Sequence, residues 1–310
     1  MKSNDPLRIL HINVSDSAGG AAIAAYRLHR ALQHHGVESK MLVQTKASSD
    51  YTVIGPDTKI KKAMAIVRPT IDSLPLKRYP NTAKTLFSPA WVPFGGIINK
   101  INGINPDVVH LHWICDGMIR IEELVKIKAP VVWSLHDMWA FTGGCHYDGG
   151  CGRYINACKS CPILGSKNEF DLSTQIFKRK ERIFTRLHNI TVVGLSQWMA
   201  DSAKHSYLFR NKRLVKLPNP INTHTFRPHE KASARDMLGL PADKKLVLFG
   251  AINATNDPRK GFSALLQALR QLRSDNVELV IFGASRPRNE PDFCFPVHYL
   301  GRLYDDLTLR

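Results

Sequence analysis

Short apolar runs recur along this chain, and several end in a turn that leads into residues of helical period. That alternation limits the fold more than any single motif does. The first run, Arg8–Val14, is followed by the turn-prone segment Ser15-Asp-Ser-Ala-Gly-Gly20. From Ala21 to His35, Ile23, Tyr26, Leu28, Ala31 and Leu32 then recur at helical spacing. Gly36 marks the expected end of that helix, and Lys40–Gln44 reads as the next strand. Strand, glycine turn, helix and strand make a βαβ opening, which predicts an α/β fold with a parallel sheet.

A second such unit is predicted from Asp107–His112 and Pro130–His136, with a helix-like stretch, Met118–Lys128, between them. Both runs end in histidine. Parallel strands present their C-terminal ends to the ligand crevice, so His112 and His136 are expected on that rim. Ile190–Gly194 reads as a further buried strand, followed by a helix over Gln197–Ser206. At Leu217-Pro-Asn-Pro-Ile-Asn222 the prolines break the pattern, and Pro228 and Pro241 punctuate the next twenty residues or so. The expected organisation is a Rossmann-like domain over 1–217, a linker over 218–243 and a second α/β domain over 244–310. In the latter, strands are predicted at Lys245–Phe249, Val277–Phe282 and His298–Leu300, with helices over Gly261–Arg273 and from Asp305 to Arg310. No internal repeat or low-complexity tract is present.

With 310 residues, 44% hydrophobic and 22% charged, the chain has the balance of a soluble globular protein with room for two cores. No run approaches the ~20 apolar residues of a membrane-spanning helix. The N-terminus enters a strand directly, leaving no room for a secretory leader, so a cytoplasmic and reducing location is expected. Lys and Arg exceed Asp and Glu by 17, which favours anionic partners. The basic residues are dispersed and do not interleave with aromatics, which argues against nucleic acid. One stretch stands apart. Lys59, Lys61, Lys62, Arg68, Lys77, Arg78 and Lys84 are interleaved with Ile60, Met64, Ile66, Val67, Leu74, Leu76 and Leu86. A basic amphipathic segment of this kind is either a solvated helix face or a surface for anionic lipid.

Four constellations carry chemistry. The Gly19-Gly20 turn lets backbone N–H groups at a helix N-terminus approach an anion or a sugar hydroxyl, although the Gly-x-Gly-x-x-Gly spacing is absent and a simple tight turn explains it equally. His136, with Asp137 beside it, is placed to hydrogen-bond a substrate, or to serve structure alone. Arg259 and Lys260 in Asp257-Pro-Arg-Lys-Gly261 are two cations before a predicted helix, suited to a diphosphate or simply solvated. Cys145, Cys151, Cys158 and Cys161 fall within one glycine-rich loop, residues 143–162. Their Cys158-x-x-Cys161 pair has the spacing of a zinc ligand pair, with His146 as a substitute ligand. A disulfide or redox pair, or free thiols, are the alternatives. A closed four-cysteine site has no open position for substrate, so its expected role is structural.

Taken in order, Ser17-Ala-Gly-Gly20, Trp133-Ser-Leu-His-Asp-Met-Trp139, Leu217-Pro-Asn-Pro-Ile-Asn222, Phe249-Gly-Ala251 with Pro258-Arg-Lys-Gly261, and Ile281-Phe-Gly283 resemble the family 4 retaining glycosyltransferases of the GT-B fold. The run Thr142-Gly-Gly-Cys-His-Tyr147, with the cysteines after it, resembles a subgroup of bacterial exopolysaccharide transferases of the colanic-acid type. The resemblance implies two Rossmann-like domains facing a cleft, the first holding a glycan or lipid-linked acceptor and the second a UDP- or GDP-sugar. It implies transfer with retention and no catalytic metal. His136 would hydrogen-bond a donor-sugar hydroxyl, and Lys260, with Arg259 as a weaker candidate, would pair with the departing diphosphate. Gly19 and Gly20 would lie near the phosphates and acceptor, and Gly283 and Arg302 fall in the donor-binding segments.

The sequence departs from the family pattern in two places. Ala251 stands where many members carry Arg, which shifts phosphate binding toward Lys260 or leaves Arg259 to compensate. Members also continue well beyond Leu303, through a pair of glutamates that contacts the donor sugar and ribose. The expectation is therefore that the chain as written lacks transferase activity, or is a fragment of a longer gene product. A non-catalytic GT-B-like protein, a zinc-stabilised binding module, and a sugar-nucleotide epimerase or hydrolase are the competing readings.

Overall fold

The computed structural model describes residues 6–309 apart from 84, 94–95, 253–254, 256, 273–275, 288–292, 294 and 304–305. The chain divides into two compact units, Met1–Pro220 and Ile221–Arg310.

The first unit begins as its sequence predicts. Strand β1 (Arg8–Ser15) leads through the glycine turn into helix α1 (Gly20–His34), then β2 (Glu38–Thr45) and the short β3 (Val53–Ile54). Helices α2 (Lys59–Ser73) and α3 (Ile97–Ile104) precede β4 (Val108–Leu111) and β5 (Val131–Leu135). Helix α4 (Leu172–Phe184), β6 (Ile190–Gly194), α5 (Gln197–His205) and β7 (Arg213–Lys216) complete the unit. The described strands form one seven-stranded sheet in the order β3-β2-β1-β4-β5-β6-β7, parallel throughout. Leu10, Ile12, Val109, Leu111, Val131, Trp133 and Leu135 send one face of the central strands into the main core. On the other face Met41 and Val43 pack with Ala25 of α1. A parallel sheet covered on both faces is why these strands read as nearly continuous apolar runs.

The connection between β4 and β5 corrects the expected helix Met118–Lys128: only Ile121–Lys126 is helical, and as a 3-10 helix. Its buried residues Ile121 and Leu124, with the buried Ile127 at its C-cap, are spaced by three, the period at which 3-10 side chains eclipse.

In the second unit, α6 (Lys231–Met237) lies inside the segment 218–243 read as a linker, and Glu230 caps it by accepting from Ala232 and Ser233 N–H. Strands β8 (Lys245–Gly250), β9 (Val277–Phe282) and β10 (Val297–Gly301) form a parallel three-stranded sheet in the order β10-β9-β8. Helix α7 (Phe262–Leu269) covers it, and Phe262, Leu269, Leu279, Ile281 and Phe295 make its core. Of the helix expected from Asp305 to Arg310, α8 (Asp306–Leu309) is present; Asp305 and Arg310 lie outside the described residues, as does Lys84 of the basic stretch.

Candidate active site

The strand order of the first sheet reverses between β1 and β4, and in doubly wound sheets the ligand crevice opens beyond the strand ends at that point. Three predicted elements meet there: the turn after β1, His112 just beyond β4, and His136 just beyond β5. Gly19 holds φ +91 at the N-cap of α1, a conformation L side chains rarely adopt. No side chain caps that helix and its first turn carries no acid, so its N-terminal N–H groups are left to an anion or a hydroxyl. The turn is held from below. Ser15 Oγ accepts from the N–H groups of Ser17 and Ala18, and Asp16 accepts from Ala47 and Ser48 N–H.

Behind His136 runs a row of histidines. His136 Nε2 lies 3.0 Å from His112 Nδ1, and His112 Nε2 lies 3.0 Å from His11 Nδ1. The register of β1 against β4 sets His11 opposite His110, whose Nε2 lies 2.8 Å from Ser134 Oγ. Burial lowers the pKa of His110 and of His136 to about 4, and drives His11 and His112 well below the usual histidine range. These rings are neutral at pH 7. Ring nitrogens of His11, His110 and His112 lie within 4.8 Å of one another, the only such trio of His, Cys, Asp or Glu ligand atoms among the described residues. Two of its members are already joined through the His11–His112 hydrogen bond, and His112 is also committed to His136.

Asp137 anchors the turn that carries His136. Its carboxylate accepts from Trp139 N–H and Trp113 Nε1–H and lies 2.6 Å from His146 Nδ1. Burial opposes ionisation of Asp137, but His146 and these donors outweigh it and hold its carboxyl below the usual range. Ser88 Oγ takes the other ring nitrogen of His146. His146 thus buttresses Asp137 and does not substitute for a cysteine ligand as its sequence position suggested.

In the second unit, Lys260 is exposed at the end of a 3-10 turn, Pro258–Lys260, just before α7. Arg259 is held in a fork by Asp257, at 2.9 Å from Nε and 2.7 Å from Nη2, and Arg259 in turn lowers the Asp257 carboxyl to about 2. Of the two cations, Arg259 is the one that Asp257 holds by hydrogen bonds, whereas Lys260 acts on that carboxylate through charge alone. Gly283 follows β9 at φ +81, where a Cβ would fall on the Ala251 carbonyl oxygen. Arg302 is exposed just past β10.

Residues 18–225 match the model of Glycosyltransferase Family 4, a span that contains Gly19, Gly20, His112 and His136. The chain belongs to that family. It is 27% identical over 222 residues to the putative colanic acid biosynthesis glycosyl transferase WcaC of Escherichia coli K12, covering 65% of this chain and 52% of the relative. The chain thus spans about half the length of that curated relative. Among solved structures, HepE of Anabaena, in complex with UDP and glucose, superposes with a TM-score of 0.53 at 12% identity, covering 98% of this chain and 71% of HepE. The catalytic domain of starch synthase IV from Arabidopsis thaliana, bound to ADP and acarbose, gives 0.53 at 13% identity, with 98% and 76% covered. At such identities the likeness establishes the fold, an α/β GT-B architecture.

Two further features of this family 4 chain bear on function. A groove of about 610 Å³ in the first unit is lined by Ile60, Met64 and Met118 with Lys61, Arg68 and Lys100. Beside it on α2, Ile60 and Ile66 are 77% and 74% exposed among the lysines of the basic segment. The four cysteines all line one small cavity. No local pattern marks His11 as part of the rim network, since its partner nitrogen is 101 residues away. Nor does any mark Lys180, buried in α4 within a run of charged residues.

Proposed function

We propose that this chain belongs to a retaining transferase that moves a sugar from a UDP- or GDP-sugar to a glycan or lipid-linked acceptor in bacterial polysaccharide assembly, its first unit serving the acceptor and its second the donor. One observation carries the reading: beside the switch point of the first sheet, a hydrogen-bonded row of buried histidines ends at His136 after β5, and the uncapped N-terminus of α1 follows β1 at the same edge of strand ends. A neutral imidazole held in place gives a directional hydrogen bond to a sugar hydroxyl without competing for the diphosphate charge. We assign His136 that role and Gly19–Gly20 the nearby phosphate and acceptor contacts. In retaining transfer an oxocarbenium-like transition state places growing negative charge on the leaving phosphate, which a preorganised cation stabilises. We assign that task to Lys260, with Gly283 and Arg302 in the surrounding donor loops, and reserve Arg259 for holding the turn through Asp257. The WcaC relative and the UDP complex of HepE support the substrate class.

The groove between α2 and the sheet supports a lipid-linked acceptor, with apolar walls for a chain and three cations for a phosphate. The exposed Ile60 and Ile66 among lysines support peripheral contact with anionic lipid, at the inner face of the plasma membrane. The test is a transfer assay on the full-length protein with UDP- and GDP-hexoses and a membrane fraction as acceptor. Transfer with retention, lost by about a hundredfold or more in His136→Ala at unchanged melting temperature, supports the reading. Full activity of His136→Ala overturns it.

A further inference from the structure

We propose that Cys145, Cys151, Cys158 and Cys161 bind one Zn²⁺ as a closed, structural four-thiolate site. Residues Thr142 to Asp171 contain no described helix or strand beyond the single 3-10 turn Arg153–Ile155, yet three of the four cysteines are buried within this stretch. All four line a cavity of about 10 Å³, together with Gly143, Arg153, Lys159, Pro162 and Ser173. That is the room of a single water-sized sphere, which suits an ion and excludes a small-molecule ligand.

The backbone around the cavity is arranged for thiolates. Gly143 N–H donates to Cys158 Sγ at 3.1 Å. Cys161 N–H in turn donates to Asp171, the carboxylate that caps α4, so the ligand loop is tied to that helix. Gly143 approaches Cys158 so closely that a Cβ there would lie 2.7 Å from the Cys158 Cβ.

Charge gives a second and independent indication. Lys180 of α4 is fully buried, donates to the carbonyls of Trp139 and Thr142, and lies 3.8 Å above the Trp139 ring centroid. Among the described residues it has no carboxylate at ion-pair distance. An amino group buried in this way keeps its charge only with an anion nearby. A zinc tetrathiolate, with a net charge of about −2, is one. Formation is balanced: four thiols release four protons as Zn²⁺ enters, and no electron moves. No three of the sulfurs lie within 4.8 Å of each other, whereas tetrahedral Zn–S bonds of about 2.3 Å set sulfurs about 3.8 Å apart. Binding therefore draws the sulfurs inward, for which Gly149, Gly150 and Gly152, where an added Cβ would meet nothing closer than 3.5 Å, leave room. Because Thr142, Cys145 and His146 lie on the same strap as Asp137's partner, the metal would fasten the support of the His136 turn without touching substrate.

The test uses the full chain, purified under reducing conditions and analysed for metal and thiols. The expected result is about one zinc per chain, released when the thiols are modified, and a Co²⁺ derivative with thiolate charge-transfer and tetrahedral d–d bands. The double variant Cys158→Ser/Cys161→Ser should retain less than about a tenth of that zinc, while His112→Gln keeps it. Four freely titratable thiols without metal, a Cys158–Cys161 disulfide in the purified protein, or zinc lost in His112→Gln and kept in the cysteine variant would each overturn the proposal. The Co²⁺ spectrum of the unaltered chain decides the matter even if the cysteine variant does not fold. None of these readouts involves sugar transfer.

Discussion

His136 Nε2 and His112 Nδ1 lie 3.0 Å apart, so the two rings share one proton, and His112 and His11 share another on the far side. The whole row has two tautomeric arrangements. In one, His136 carries its proton on Nδ1 and His11 Nε2 is a bare acceptor; in the other, His11 Nε2 carries a proton. His11 Nε2 is buried and without a partner, and a buried N–H left unpaired is rarer in proteins than a buried acceptor left unpaired. The first arrangement is therefore favoured, and it turns His136 Nδ1–H toward a ligand as a donor. Nitrogen-15 NMR of the imidazoles at pH 7 should show His136 as the Nδ1–H tautomer. His112→Phe should leave His136 a mixture of tautomers; an Nε2–H tautomer in the unaltered protein would contradict this assignment.

Acid should unfold the first unit earlier than an ordinary domain of its size. Burial, the largest cause in each case, lowers His29, His110 and His136 from 6.5 to about 4. The unfolded chain then binds protons that the folded chain refuses, so stability is full above pH 6.5 and falls as pH drops through about 4. Denaturant midpoints between pH 7 and 4 should decline steadily. His29→Gln, which keeps polar contact with Ser39 and Thr52, should flatten that decline.

Glu122 and Arg179 join the 3-10 turn after β4 to helix α4, with Nε 2.6 Å from Oε1 and further bonds from Arg179 to the carbonyls of Pro89 and Ala90. Burial opposes the ionisation of Glu122, but Arg179 prevails and lowers its carboxyl from 4.5 to about 2. The pair's contribution is present above pH 4.5 and is lost as pH falls through about 2. Glu122→Gln should cost about 2 kcal/mol at pH 7 and much less near pH 2. Urea unfolding at the two pH values checks it.

Gly283→Ala should damage the second unit more than its size suggests. The position combines φ +81 with a close approach to the Ala251 carbonyl. Strain and displacement together should cost about 2–4 kcal/mol. A thermal melt that leaves the second unit unshifted would show that the loop adapts freely.

Much of this arrangement is legible in the sequence because it is local. The runs at Arg8–Val14 and Val131–Leu135 declare buried parallel strands, and the placing of His112 and His136 after such runs puts them on the rim. The four cysteines reach one cavity across a single loop, so their spacing is informative. His11 is not legible, because it meets His112 only through the register of β1 against β4. Lys180 is hidden for a similar reason. In Lys178-Arg-Lys-Glu-Arg182 it reads as one more solvated charge, and only the packing of α4 buries it. The expected helix after β4 fails because an apolar spacing of three resembles the three-and-four spacing of an α-helix.

A nucleoside diphosphate sugar as the ligand of this chain, with Lys260 meeting its diphosphate, is the central claim. Calorimetric titration with UDP, GDP and their hexose conjugates tests it most directly, on the unaltered chain and on Lys260→Ala and Arg259→Ala. Saturable binding of one nucleotide class is expected, weakened about tenfold or more in Lys260→Ala and less in Arg259→Ala, whose side chain Asp257 already holds. Failure of every such nucleotide to bind, or equal affinity in Lys260→Ala, would contradict it.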